Sequence, residues 1–171
     1  MKIFIAGARQ IKFLDDAVKE KLESIRSKNY DVLIGDAPGV DSLVQSFYAS
    51  VGYPNVTIFA CNGKTRNNIG VWPVEGIPAN RDLKSAEYFA QKDIAMTAAT
   101  DYGFMIWNGQ SRGTMNNILR LLQAGKSSVV YLNGEFYSVY NDDSLQRLFA
   151  NCLKLTPKPT EVTFVKQPVL F

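Results

Sequence analysis

The chain contains no histidine. That excludes imidazole as general base, proton shuttle or metal ligand, and with it Ser-His-Asp and Cys-His catalysis within this chain. Cysteine is scarce: Cys61 and Cys152 are the only two. They do not form a metal-type pair, so no metal site is expected, and free thiols suit a reducing cytoplasm. No window reaches the roughly 18 apolar residues that a membrane span needs. The apolar start at Ile3–Ala6 is too short for a signal peptide, so no membrane partner is expected. Charge of one sign is nearly absent in excess, with 19 basic against 16 acidic residues and a net charge of +3. On that ground nucleic acid is disfavoured as a partner. A Walker lysine motif and a full G-x-G-x-x-G are both missing, which weakens ATPase and ordinary dinucleotide readings.

What is present fits one globular domain of 171 residues, 46% hydrophobic and 20% charged. Short apolar runs at 2–6, 31–35, 56–61, 102–107 and 127–132 read as strands. Between them lie amphipathic stretches at 12–28, 40–51, 81–99 and 111–124. The second carries Val40, Leu43, Val44, Phe47, Tyr48 and Val51 at helical spacing. Alternating strands and helices predict an α/β fold, a Rossmann-like three-layer sandwich on a mainly parallel sheet of about five strands. Asn133-Gly134 signals a tight turn, with 136–140 returning as an antiparallel strand at the edge. The whole chain, 1–171, reads as a single domain, with the hairpin, a last helix at 143–153 and the tail (134–171) as an appendage. The tail holds a strand-like Val162–Val165 between prolines.

Ligands of such sheets bind beyond the carboxyl ends of the strands. Three turns leave the sheet there with suitable residues. Gly7-Ala8-Arg9 offers small residues for close backbone approach and a cation, or simply a tight turn. Gly35-Asp36-Ala37-Pro38-Gly39-Val40-Asp41 opens a helix whose amides and dipole favour an anion. Asp41 reads either as a dipole-stabilising residue or as a contact to a ribose hydroxyl or a general acid/base. In Asn108-Gly109-Gln110-Ser111-Arg112-Gly113-Thr114, Ser111 is at least an N-cap, and the glycines, hydroxyls and arginine make a good phosphate cradle. Asp93 sits in the apolar stripe Ala86, Phe89, Met96, where a carboxylate must be paired or shift its pKa. Arg81, read as the first residue of that helix, opposes the dipole and so suggests an acidic or ligand partner. The polar stretch 62–80 is long for a connection and reads as a lid or binding loop. Within it Lys64 and Arg66 could meet phosphates, and Trp72 either stacks on a base or anchors the loop.

Together Ile5-Ala6-Gly7-Ala8-Arg9, the Gly35–Asp41 turn, Lys92-Asp93-Ile94-Ala95-Met96 and Trp107–Thr114 resemble the SLOG superfamily, nearest its YspA-like branch. Relatives of that superfamily include the LOG phosphoribohydrolases and the DprA Rossmann domain. The resemblance spans roughly residues 2–132. It implies a nucleotide-related ligand lined by Gly35, Gly39, Asp41, Ser111, Gly113 and Thr114, with Arg81 and Asp93 nearby. LOG enzymes place a glutamate three residues after the Gly-Thr pair, and here that position is Asn117. The expectation is therefore a module that senses or sequesters a nucleotide or an ADP-ribose-like molecule, without a separate cofactor. The alternative is an N-glycosidase or phosphoribohydrolase on a nucleoside monophosphate, with Asp41 and Asp93 as its acids. A homodimer or higher homo-oligomer is expected from the fold class.

Overall fold

The structure, a computed structural model, describes residues 1–155. Strand β1 (Lys2–Gly7) leads into helix α1 (Asp16–Ser27), β2 (Asp31–Gly35), α2 (Val40–Ser50) and β3 (Val56–Cys61). Then follow β4 (Val74–Ile77), α3 (Ser85–Ala99), β5 (Tyr102–Trp107), α4 (Arg112–Gln123), β6 (Ser128–Leu132), β7 (Glu135–Val139) and α5 (Asp142–Leu155). The fold is α/β, on one seven-stranded sheet of order β4-β3-β2-β1-β5-β6-β7. All neighbours run parallel except β6 and β7.

The order explains the layers. From β1 the chain steps outward to β4, then jumps back to β5 beside β1. Right-handed crossovers in opposite directions put their helices on opposite faces. Accordingly α1 and α2 pack Val18, Leu22, Val44 and Tyr48 on Ile3, Ile5, Ile34 and Ile58. On the other face α3, α4 and α5 pack Met96, Ile118, Leu121 and Leu148 on Phe4, Leu33, Met105 and Val130. Central strands are buried on both faces, which is why they read as unbroken apolar runs.

The Asn133-Gly134 turn is as expected. Both residues have positive φ, 50° and 87°, and β7 returns antiparallel with Leu132 opposite Glu135. Two expectations are corrected. The 62–80 stretch, read as a long polar connection, contains a strand, β4, an edge strand pairing Ile58–Cys61 with Val74–Ile77. The loop is also fastened: Trp72 is buried, and its indole N–H donates to the Tyr53 carbonyl at 2.8 Å. Helix α3 starts at Ser85, so Arg81 lies in an exposed turn before it rather than opening it. Its presumed conflict with the helix dipole disappears. The strand-like Val162–Val165 lies outside the described residues. No described helix is long and apolar enough to cross a membrane.

Candidate functional site

Strand order reverses between β1 and β5, and a crevice must open beyond their carboxyl ends. A cavity of about 630 Å³ lies there, within the range of small-molecule sites. The β1–α1 turn contributes Gly7, Arg9 and Gln10, and the start of α2 contributes Ala37 and Asp41. From α3 come Ala86, Phe89, Ala90, Lys92 and Asp93, and from α4 the run Gln110–Thr114 with Asn116, Asn117 and Arg120.

The α4 side is a helix N-terminus. The Ser111 hydroxyl caps it, accepting from the Thr114 amide at 3.4 Å and from the Thr114 hydroxyl at 3.0 Å. Asn108 sets up the turn, its side-chain oxygen accepting from the amides of Gln110 and Ser111. Among the described residues the amides of Arg112 and Gly113 donate to nothing. A Cβ added at Gly113 would meet only Ser111 Oγ, at 4.0 Å. The first turn of α4 therefore presents unsatisfied donors, a positive dipole end and exposed space together.

The floor is charged and buried. Lys92, 4% exposed, donates to Asp93 Oδ1 at 2.9 Å. Asp41 Oδ2 lies beside Lys92 Nζ over Gly35, where any Cβ would overlap both atoms. The Ala37 amide donates to Asp41 Oδ2 at 3.1 Å. On the other side Asn117 Nδ2 donates to Asp93 Oδ2 at 3.3 Å, and Arg120 donates to Asn117 Oδ1 at 2.9 Å. A polar line thus crosses the floor from α2 through α3 to α4. Burial pushes the Asp41 carboxyl up to about 6, against the pull of the Lys92 ammonium. Burial alone would lower the Lys92 pKa, but Asp93 and Asp41 outweigh it and hold the amine above its ordinary value.

The expected site residues divide in two. The structure brings Gly7, Arg9, Asp41, Asp93, Ser111, Arg112, Gly113 and Thr114 to the cavity wall. Others lie behind it. Ala8 is fully buried, and its amide donates to the Ile106 carbonyl. Gly39 has a φ of 82°, and an added Cβ would overlap the Arg9 backbone, so it is required for packing the two turns together. Asp36 is 2% exposed and accepts from the Arg66 amide at 3.0 Å and its guanidinium at 3.2 and 2.7 Å. Burial would raise its pKa, but those Arg66 bonds win and hold it below the ordinary carboxylate value. Gly109 faces Cys152, whose thiol donates to its carbonyl at 3.4 Å. Asn108, Gly35 and Arg81 are also outside the wall. Sequence reasoning missed Lys92 and the cavity-facing role of Phe89. The Asp93 stripe carried the signal, because a carboxylate on an apolar face calls for a buried cation.

No known protein family matches the chain, and no curated protein matches it in sequence. The fold does match a solved structure, described as "Structural insights into the unique single-stranded DNA binding mode of DNA processing protein A from Helicobacter pylori". The TM-score is 0.55 at 15% identity, over 89% of this chain and 73% of that one. A likeness at that identity establishes the Rossmann-like fold. It also corrects one expectation. A protein of this architecture is described as binding single-stranded DNA, so the charge argument against nucleic acid does not hold. Net charge averages over the surface, whereas a strand is held by local cations and stacking.

Proposed function

We propose that this chain binds a nucleotide or nucleotide-derived ligand in the crevice between β1 and β5. The observation that carries the reading is the first turn of α4, where the free Arg112 and Gly113 amides open on the cavity. Helix N-termini of this kind hold phosphate. Arg112 and Arg9, both exposed at the rim, add cations suited to anionic oxygens. Asp41 and Asp93 on the floor suit sugar hydroxyls. Single-stranded DNA, which the fold neighbour is described as binding, is itself a chain of nucleotides and supports this ligand class.

Sequestration without turnover is favoured by the state of the carboxylates. Both oxygens of Asp93 are engaged, by Lys92 and Asn117, and Asn117 is no acid. A second reading rests on Asp41. With its pKa raised to about 6, it could hold a proton near neutrality and protonate a leaving base, as the acid of an N-glycosidase does. One panel separates the two: ribose 5-phosphate, nucleoside mono- and diphosphates, ADP-ribose and a short oligodeoxynucleotide. Binding is read by thermal shift and products by chromatography. Binding without free base supports the first reading. Release of free base at catalytic rates sinks it. The second reading fails if no base appears, or if release survives both Asp41→Asn and Asp93→Asn.

A further inference from the structure

The cavity has an apolar outer end that phosphate and sugar do not explain. Asp93 lies deep on α3, and one and two turns towards the mouth the same face presents Phe89, Ala90 and Ala86. Phe89 is half-buried, and its ring meets that of Tyr88 edge-on, with centroids 5.1 Å apart. The Arg66 guanidinium sits over this ring, 3.9 Å from its centroid. Arg66 cannot readily leave, because buried Asp36 holds it through its amide and guanidinium. A second guanidinium, that of Arg9, stands over the same ring at 5.8 Å. Arg9 is exposed on the β1–α1 turn and has no carboxylate partner among the described residues.

The geometry points to a base-stacking platform: Phe89, backed by the clamped Arg66, takes a flat heteroaromatic ring, and Arg9 closes over it. This inference rests on the nucleotide reading above and specifies the part of the ligand that reading leaves open. Contact stacking needs about 3.5–4.0 Å between planes. Arg66 already meets that distance, while Arg9 stands off and is free to lift and admit a ring. An aromatic face and a guanidinium plane are the two surfaces on which bases stack, and neither demands a particular base. Phe89 and Gly113 line the same cavity, one from α3 and the other from α4, so a single ligand with a ring and a phosphate has a partner for each.

The test compares ribose 5-phosphate with AMP, by calorimetry on the wild-type chain and on Phe89→Ala and Phe89→Trp. The wild type is expected to bind AMP about tenfold or more tighter than ribose 5-phosphate, the scale of one stacked base. Phe89→Ala should abolish that difference and leave ribose 5-phosphate within about twofold. Phe89→Trp should keep AMP binding, with AMP quenching the new indole's fluorescence, and this variant guards against a folding defect in the truncation. If the wild type binds the two ligands equally, or Phe89→Ala weakens both alike, the platform is wrong while the phosphate site stands. If the wild type binds neither, the nucleotide reading falls and the platform with it.

Discussion

At the scale of single residues, the site turns on a lysine that the sequence reading passed over. The apolar stripe around Asp93 calls for a partner but does not say which one, and Lys92 is its neighbour in the chain. Only the sheet topology brings the α2 carboxylate of Asp41 to its other side, so no local pattern could reveal that second partner. Asp41 gives the cluster a pH signature. Its carboxyl stands at about 6 in the folded chain, against the ordinary 3.8. Between those values the native state binds more protons than the unfolded one, so this group's contribution falls as pH rises. It is fully present below about 3.8 and gone above about 6. Asp36, held low by Arg66, works oppositely: its contribution is lost as pH falls below the ordinary carboxylate range. Asp41→Asn removes the first effect alone. From pH 4.5 to 7.5, its urea-unfolding free energy relative to wild type should rise by about 2 kcal/mol. A difference that stays flat over this range would show that Asp41 is ionised throughout. Removing the cation is a harsher change. Lys92→Met leaves Asp41 and Asp93 without their counter-ion and should cost about 3–5 kcal/mol at pH 7, read by the same denaturation.

At the scale of elements, the strongest local signals were the reliable ones. Alternating apolar runs and amphipathic helices, closed by glycine turns, placed four helices and the parallel core of the sheet. The Asn133-Gly134 hairpin could be read because type I′ turns demand those residues. Strand β4 could not, for it is four residues long, exposed on its outer edge and broken by Gly76. Its pairing with β3 is non-local and has no periodicity to announce it. The start of α3 was misplaced because Arg81–Lys84 continue a helix-compatible composition, with no sharp cap before Ser85. The α4 turn was legible, with Ser111 as N-cap followed by small residues, and it supports a two-sided experiment. Ser111→Ala removes the acceptor of the Thr114 amide and hydroxyl and should cost about 1 kcal/mol of stability. Gly113→Ala adds a methyl into open space and should leave stability unchanged or raise it by up to about 1 kcal/mol. The same methyl would crowd a phosphate approaching the free amides of its own turn. Ribose 5-phosphate should therefore bind on the order of tenfold more weakly to the more stable protein. Unchanged affinity in Gly113→Ala would move the phosphate elsewhere.

At the scale of the whole molecule, the crevice joins parts of the chain that the sheet would otherwise hold apart. Arg9 and Asp41 come from the β1–α2 side, and Lys92 through Arg120 from α3 and α4 on the other face. Both sides share one continuous sheet and two cores that meet only through it. A ligand bridging them binds the folded chain and has nothing to bind once either side opens, so its free energy adds to that of global unfolding. At one hundred times the dissociation constant the gain is about 2.7 kcal/mol. For a chain of this length each kcal/mol raises the midpoint by about 2–4 °C. AMP at that concentration should thus raise the melting temperature of the wild type by about 5–10 °C, within a single transition. Native-state hydrogen exchange should slow most at Arg112, Gly113 and the β1–α1 turn, and least at Lys2 and Asp31, which begin β1 and β2 at the opposite ends of the strands. A ligand that stabilised only one of two separate transitions, or that protected the amino ends of β1 and β2 at Lys2 and Asp31 most, would place the site outside the β1–β5 crevice and contradict the binding mode argued from it.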